Sequence, residues 1–413
     1  MDARRTVGAQ ERRRRMAVRH RLTPERRAAT PEEVTESLVA LHGTDPATVY
    51  VSAAARMREP GAAALDRALH EDRSLTRLLA MRRTMFVVTT ASAPVVLSAA
   101  ALAIAALERR KLLKHLADGG GWDERWLAEL EESVLAALTG RGEATAAQLA
   151  SDVPRLREQV VVARGKPYEA TQAVSTRVLR VLAAEGRIVR RRPVGGWTSS
   201  QYRWAPGTVT RTPPTAQARV ELVRRWLAAY GPGTEADLKW WTGWTLTEVR
   251  KALAALGTEE VLLDGETGHV LPGDGDPAPP TPPWAALLPA LDPTPMGWQR
   301  RDWYLPQDER ERAALFDRSG NIGPTVWWNG QVVGGWAQRA DGEVVHRLFG
   351  DPGREAVAAI EAEAARLRGW LDAVRVTPRF RTPLERELSA QAASAPQTPP
   401  PPAASSAPSA PPA

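Results

Sequence analysis

The sequence contains no cysteine, which excludes a disulfide-stabilised scaffold and any zinc site with thiolate ligands. Histidine is also scarce. Only six histidines are scattered along the chain, and no cluster of His, Asp and Glu has the spacing of a metal site. We therefore expect neither a metal nor any other cofactor.

Long apolar runs are missing as well. The apolar run at 94–107 has 14 residues, fewer than the roughly 18 to 20 needed to cross a bilayer. Arg4 and Arg5 are not followed by an apolar stretch, so a twin-arginine export signal is not indicated. These features predict a cytoplasmic protein without a membrane partner.

Lysine is rare, whereas arginine is abundant: of 55 basic residues five are Lys and 50 are Arg. Residues 1–27 hold ten arginines against Asp2, Glu11 and Glu25, and ten minus three equals the whole net charge of +7. A basic chain favours an anionic partner such as nucleic acid. The remainder of the chain is near neutral, so any basic surface there must be local.

Breaks in composition divide the chain into segments. Pro-rich stretches, the Arg-rich start and an Ala/Pro/Ser-rich end mark the boundaries. The predicted segments are an Arg-rich disordered arm (1–15), winged helix 1 (16–120), winged helix 2 (121–210), winged helix 3 (211–271), a Pro-rich linker (272–283), a β-barrel-like domain (284–385) and a disordered tail (386–413).

The winged-helix prediction rests on a pattern that repeats. In 121–210, three stretches with helical apolar spacing precede two β-like runs, 187–192 and 197–204. Three helices followed by a hairpin are typical of a winged helix. The segment 211–271 repeats the pattern and has Asp264-Gly265 as its hairpin turn. In 16–120 the predicted helices fall near 31–41, 61–70 and 73–81, before a strand at 84–89.

The last folded segment has a different pattern. Asn329-Gly330 and Asp341-Gly342 separate alternating apolar runs, which predicts a three-stranded meander, and a charged helix follows at about 353–374. The predicted fold class is therefore α+β, with three tandem winged-helix units followed by a small C-terminal β-barrel-like domain with a closing helix.

Two basic segments are candidates for contact with DNA. Wing arginines can bind phosphates while an aromatic packs on a sugar or base, and a solvated hairpin with core aromatics is the alternative. Arg82 and Arg83, at the start of the first wing with Thr84, are equally well explained as a solvent-exposed pair. The predicted DNA-binding residues are Arg82, Arg83, Thr84, Arg190, Arg191, Arg192, Trp197 and Arg203.

The stretch LVALHGTDPATVY places His42, Thr44 and Asp45 at the end of an apolar helical pattern. Asp45 and Pro46 suit the N-cap and first turn of a following helix, and His42 suits the end of the preceding one. The alternative is an active site, because these three side chains can bind water and transfer protons.

Several pieces, taken in order, resemble a known family. They are LVALHGTDP, EDRSLTRLLAMRRTMFVV, ADLKWWTGWTLTEVRKAL, LLPALDPTPMGW and PTVWWNGQVVGGW. Together they resemble the tandem winged-helix superfamily that includes the AlkZ-like bacterial DNA glycosylases. The resemblance spans roughly residues 16 to 385 and implies three winged-helix units with a C-terminal β-barrel.

The resemblance also implies an activity, the monofunctional excision of alkylated or bulky-adduct purines from double-stranded DNA. It assigns the catalytic positions to His42, Thr44 and Asp45. Family members have Gln-x-Gln or Gln-x-Asp where this chain has His42-Gly43-Thr44. They tend to have Met-Arg-Gly-Thr-Leu-His at 81–86, where Arg82 and Thr84 match this chain.

Three functional hypotheses stay open at this point. The first is a DNA-repair glycosylase. The second is a non-enzymatic, regulatory winged-helix DNA-binding protein, which needs only the architecture and the basic patches. The third is an interaction protein that has kept the fold and lost DNA affinity. Three linked units indicate a monomer that needs no second copy.

Overall fold

The computed structural model describes residues 4–162, 165, 167, 169–209 and 211–390. Residues 1–3 of the predicted arm and 391–413 of the predicted tail lie outside the described residues. The fold is mixed α/β, with small antiparallel sheets between helices. Within the described part of the chain, no helix is both long and apolar enough to cross a membrane.

The first region surrounds a three-stranded antiparallel sheet with the order β1-β3-β2. Its elements are α1 (Ala9–Arg19), α2 (Pro31–Ser37), β1 (Leu41–His42), α3 (Pro46–Ala54), α4 (Ala62–Asp66), β2 (Leu75–Ala80), β3 (Thr84–Thr89), α5 (Ala93–Val96) and α6 (Leu102–Gly120). A π-helical turn, Leu97–Ala101, joins α5 to α6.

The helix predicted near 73–81 is wrong, because the segment forms strand β2. All six residues of Leu75–Ala80 are buried, since the strand pairs with β3 and both of its faces are covered. A fully buried run shows no alternation, so its periodicity does not distinguish a strand from a helix. Arg82 and Arg83 therefore lie in the tight turn between β2 and β3.

The Arg-rich arm is also not disordered where it is described, because α1 begins at Ala9. Arg15 and Arg19 bind the Asp274 carboxylate at 3.0 and 2.7 Å, and the Arg12 guanidinium lies 4.3 Å from the Trp303 ring. These contacts reach residues more than 250 positions away in sequence, and they fix both the helix and the Pro-rich segment that carries Asp274.

The second and third regions each contain three helices followed by a β-hairpin. The second consists of α7 (Glu124–Arg141), β4 (Ala144–Thr145), α8 (Ala146–Asp152), β5 (Gln159–Val162), β6 (Ala170–Ala173), α9 (Val174–Ala184), β7 (Ile188–Pro193) and β8 (Tyr202–Pro206). The third consists of α10 (Thr215–Tyr230), α11 (Glu235–Thr242), α12 (Leu246–Leu256), β9 (Glu259–Leu263) and β10 (Glu266–Val270). The β5–β6 hairpin is an insertion that the sequence pattern did not predict.

The regions share hydrophobic cores and do not pack independently of one another. Leu112 and Leu116, in the C-terminal half of α6, belong to the core of the second region. The largest core contains side chains from α1, the β2–β3 sheet, α10–α12 and the C-terminal sheet. The relative positions of the hairpins are therefore set by packing as well as by chain connections.

The last region contains a four-stranded antiparallel sheet with the order β11-β12-β13-β14. Its elements are β11 (Ala285–Leu288), α13 (Glu309–Ala314), β12 (Thr325–Trp328), β13 (Gln331–Gln338), β14 (Val344–Leu348), α14 (Arg354–Leu371) and α15 (Pro383–Ala390). The meander and its two turns are confirmed, and Asn329 and Gly330 adopt φ of 48° and 84°.

The predicted barrel is wrong, because this sheet is open and its edge strands β11 and β14 do not pair with each other. Helix α14 covers the sheet instead: Ile360, Ala364 and Leu367 pack with Leu287 and Trp336. A covering helix buries an apolar sheet face without closure. Residues 386–390, predicted to begin the disordered tail, belong to α15.

Candidate active site and nucleic-acid interface

His42 and its neighbours lie at one edge of the first sheet. Leu41 and His42 pair with Val87 and Phe86 of β3, and the Gly43 N–H donates to the Met85 carbonyl at 2.8 Å. The chain then turns through Thr44 into α3. Of the two interpretations of His42, the helix end is wrong, since α2 ends at Ser37 and His42 lies in a strand.

The His42 imidazole is buried, with its ring 5.4 Å from the Phe86 ring. Its Nδ1 has no hydrogen-bond partner among the described residues. Burial, with a smaller contribution from the positive charge of Arg82, lowers the pKa of His42 to about 3. The ring is therefore neutral at pH 7, so it can accept a hydrogen bond but is a weak base.

Asp45 is the N-cap of α3, as the structural interpretation of the sequence predicted. Its Oδ1 accepts from the Ala47 N–H at 3.0 Å, and its Oδ2 accepts from the Arg379 N–H at 2.9 Å. Burial raises the pKa of Asp45, and these hydrogen bonds together with the Arg379 charge act in the opposite direction. Thr44 is half-buried between His42 and Asp45. The three predicted catalytic residues thus lie within four positions of one short segment.

The turn between β2 and β3 carries Arg82 and Arg83 with φ of 53° and 59°, in the left-handed region where side chains are strained. The Arg82 guanidinium lies 4.1 Å from the Trp240 ring, and Arg301 lies 4.8 Å from the same ring. Burial lowers the pKa of Arg82 to about 10, so Arg82 keeps its charge at pH 7. Two cations and an indole therefore form one cluster beside His42.

The other two predicted residues of this turn are less constrained. Arg83 is exposed and lies 3.5 Å from the Glu108 carboxylate. Thr84 is half-buried, and its hydroxyl donates to the Arg82 carbonyl at 3.4 Å.

The β7–β8 hairpin packs onto the first region. Arg191 is buried and donates to the Leu69 carbonyl at 3.3 Å, so its guanidinium is held inside the protein and its contact with phosphate stays a prediction. Trp197 stacks on Tyr50 at 4.8 Å and is half-buried. Arg192 is exposed, 3.4 Å from Glu71, and Arg203 is half-buried beside β4. Arg192 is thus the exposed arginine of this hairpin, whereas Arg190 and Arg203 are half-buried.

Tyr202 and two arginines connect this hairpin to Asp45. The Tyr202 ring lies 5.4 Å from the Arg77 guanidinium and 5.3 Å from that of Arg190. Burial raises the pKa of Tyr202, and the negative charge of Asp45 raises it too. The positive charges of Arg77, Arg190 and Arg379 lower this pKa. We call Arg77, Arg190, Tyr202, Asp45 and Arg379 the Arg77 cluster.

Polar atoms in the Arg77 cluster lack partners. Arg77 is 3% exposed, and none of its three guanidinium nitrogens forms a hydrogen bond with the described residues. The same holds for the Arg190 Nε and the Tyr202 hydroxyl. Sequence reasoning did not identify Arg77, Tyr202, Arg301 or Arg379. An arginine inside the apolar run LTRLLA was the one local signal available.

The fold and this arginine-lined site can now be compared with known classes of protein. The sequence pattern of the AlkZ-like DNA glycosylase family matches residues 35–370, and the chain belongs to this family. Membership supports a DNA-repair, glycosylase-like function and binding to DNA.

A solved structure agrees in fold. The Streptomyces sahachiroi DNA glycosylase AlkZ aligns with a TM-score of 0.69 and 23% sequence identity, covering 91% of this chain and 99% of that one. No curated protein sequence matches the chain. The structural likeness therefore extends over almost the whole molecule.

Proposed function

We propose that this protein is a monofunctional DNA glycosylase that hydrolyses the N-glycosidic bond of alkylated or bulky-adduct purines in double-stranded DNA. The observation that carries the proposal is the position of Asp45. In a chain of this family, a buried carboxylate lies between arginine-rich elements, three positions after a neutral imidazole in the sequence. We take the hairpins β2–β3, β7–β8 and β9–β10 as the wings of three winged-helix units around the duplex.

The chemistry places modest demands on the protein. Alkylation at N7 gives the purine a positive charge, so when the bond between C1′ and N9 breaks, its electron pair neutralises the leaving base. The sugar becomes an oxocarbenium-like cation, which the Asp45 carboxylate stabilises. A water oxygen then bonds to C1′ and releases a proton to solvent.

His42 and Thr44 serve to orient this water. With a pKa of about 3 the His42 imidazole stays neutral and accepts a hydrogen bond, and it does not act as the base. The Thr44 hydroxyl can donate or accept. The negative charge of Asp45 is the larger contribution, because a fixed charge in a water-excluded site acts without reorganisation.

A groove beside Arg82 supports the bulky-adduct class. It has a volume of about 300 Å³, and its walls include Ile104 and Leu107 of α6, with Arg82, Arg83 and Arg219 at the rim. Leu107 is 40% exposed on the wall of this groove. An apolar substituent on a purine would be covered there while the arginines hold phosphates.

The test uses duplexes with a single N7-methylguanine or a bulky N3 or N7 adduct, followed by alkaline cleavage of abasic sites. Asp45→Asn keeps the N-cap, because Asn caps a helix as well as Asp does, and it removes the charge together with the acceptor for the Arg379 N–H. We expect a roughly 10²- to 10³-fold slower excision. Asp308→Asn, at the exposed N-cap of α13, is the matched control and should change nothing.

The alternative is a non-enzymatic, regulatory winged-helix DNA-binding protein. One observation favours it, namely that both Asp45 oxygens already accept backbone hydrogen bonds. DNA binding at low ionic strength without scission of any adduct duplex would support this alternative and exclude the glycosylase. We expect a monomer in either case, which size-exclusion chromatography with light scattering can check.

A further inference from the structure

The segment between α14 and α15, residues 372–382, lies directly beyond the part of the chain that the family pattern matches. We call it the C-terminal segment. It is fixed to the last sheet: the Val376 N–H donates to the Gln338 side chain at 2.8 Å, and Arg375 donates to the carbonyls of Ala340 and Asp341 at 3.1 Å each. The segment is therefore a fixed part of the fold.

This segment reaches the candidate active site at Arg379. The Arg379 N–H donates to the Asp45 Oδ2 at 2.9 Å, across 334 positions of sequence. The bond comes from the backbone, so it holds the carboxylate whatever the side chain at 379 is. Three elements therefore act on the Asp45 carboxylate: helix α3, Tyr202 of β8 and the C-terminal segment.

The Arg379 side chain has no such fixed partner. It is exposed, and its guanidinium forms no hydrogen bond or ion pair with the described residues. The nearby Phe380 ring is 5.8 Å away. Its neighbour Arg381, by contrast, binds Glu385 at 2.7 Å. An exposed guanidinium that forms no close ion pair is well suited to a phosphate, which it can bind with two parallel hydrogen bonds.

The surroundings favour an anion at this point. Arg77, Arg190 and Arg379 all act on Tyr202, and Asp45 is the carboxylate among them. Asp45 alone would repel the backbone of a DNA strand while it stabilised the sugar cation. A guanidinium between the carboxylate and the nearest phosphate removes this repulsion, because opposite charges at short range outweigh those farther away.

We propose that Arg379 is a positioning residue whose backbone N–H holds the Asp45 carboxylate and whose guanidinium binds a phosphate of the DNA strand that carries the target purine. The expected effect on the excision rate rests on the proposed glycosylase function, whereas the phosphate contact does not. A phosphate held at Arg379 keeps the neighbouring deoxyribose beside Asp45. The residue thereby couples strand binding to the orientation of the reacting sugar.

The test compares Arg379→Gln and Arg379→Lys with Arg386→Gln. Arg386 is exposed on α15 and serves as the control for loss of one positive charge. Affinity for a duplex with one N7-methylguanine is measured as a function of salt, together with single-turnover excision. Arg379→Gln should reduce the log–log salt slope by about 0.9, the value for one phosphate. It should slow excision roughly 10- to 100-fold, the loss expected for one charge-assisted hydrogen bond.

A pH profile separates positioning from folding. The charged or titratable side chains that act on Asp45 are Arg379 and Tyr202, and α3 contributes only backbone N–H groups. Without the Arg379 charge the pKa of Asp45 rises further. The acid limb of the excision rate should then move to higher pH in Arg379→Gln and return in Arg379→Lys.

The outcomes distinguish this inference from the proposed function. If Arg379→Gln and Arg386→Gln have the same salt slope, the phosphate contact is overturned, whether or not the protein excises any base. If the wild type cleaves no adduct duplex but Arg379→Gln alone lowers the slope, the glycosylase proposal fails and the phosphate site stands. An unchanged acid limb with a lowered slope would overturn the coupling to Asp45.

Discussion

Two buried arginines near helix α3, Arg56 and Arg77, differ in the hydrogen-bond partners that the protein provides for their guanidinium groups. Arg56 is fully buried, and its guanidinium binds both oxygens of Asp292, at 2.6 and 2.8 Å. It also donates to the carbonyls of His20 and Ser52 and to the Thr294 hydroxyl. We call these residues the Arg56 network. Arg77, in the Arg77 cluster, is almost as buried and makes no hydrogen bond with the described residues.

The histidines show the same contrast. In the Arg56 network both ring nitrogens of His20 are within hydrogen-bond distance of partners, Thr294 at 2.9 Å and the Ala229 carbonyl at 3.2 Å. On the face of the first sheet opposite Arg77, the His42 Nδ1 has no partner among the described residues. Buried polar groups are normally satisfied, and leaving one unsatisfied costs about 1 to 3 kcal/mol.

This difference separates a structural function from a binding function. A buried charge that is completely hydrogen-bonded connects distant parts of the chain, here α1, α3 and the segment before β12. Under the proposed function, the unpartnered groups near Asp45 would be met by a ligand that brings its own acceptors. Exceptions to local rules are expected to concentrate at functional sites.

The largest effect should follow from breaking the Arg56 network. Arg56→Met leaves the Asp292 carboxylate buried without a cation, so we expect the free energy of unfolding to fall by about 3 to 5 kcal/mol. Urea unfolding followed by circular dichroism measures this loss. Arg58→Met, at an exposed position two residues away, is the control and should stay within about 0.5 kcal/mol of the wild type. A similar loss in both variants would contradict the assigned structural function.

The sequence predicted the features that local chemistry determines. The turns at Asp264-Gly265 and Asn329-Gly330 form as expected, because these residues tolerate the positive φ that tight hairpins need. Asp45 caps α3 for a similarly local reason. The order of elements in the second and third regions followed from their helical spacing.

The incorrect predictions arose where contacts are distant in sequence. Nothing near Arg15 reveals that Asp274 will bind it, so residues 9–15 of α1 were predicted to be disordered. Strand β2 was mistaken for a helix because it is buried on both faces. The contact between Arg379 and Asp45 joins the last folded segment to the first sheet, and no local pattern encodes it.

A second, smaller effect concerns pH and sharpens the contrast between the histidines. The folded pKa of His42 is about 3, below the value of 6.5 in the unfolded chain, so the unfolded state binds the proton more tightly. The stability due to neutral His42 is therefore complete above pH 6.5 and is lost as the pH falls toward 3. Between pH 8 and pH 5 the loss should be about 2 kcal/mol.

His42→Gln removes this dependence, and the other histidines contribute equally to both proteins. We expect the two proteins to differ little in unfolding free energy at pH 8 apart from the packing change. The variant should lose about 2 kcal/mol less than the wild type on going to pH 5. Urea titrations at several pH values measure the difference. Parallel curves would mean that the His42 ring is hydrated and its pKa ordinary.

The smallest change in the free energy of unfolding is expected for Arg77. It bears most directly on the comparison between Arg77 and Arg56. Arg77→Met fills a similar volume and removes three buried nitrogens that lack partners, so the free energy of unfolding should rise by on the order of 1 kcal/mol. The same urea assay measures it beside Arg56→Met, where the same substitution has the opposite sign. A loss of more than about 2 kcal/mol would mean that Arg77 holds the β7–β8 hairpin in place through Tyr202. Both buried arginines would then be structural, and the missing hydrogen bonds of the Arg77 cluster would no longer point to a ligand.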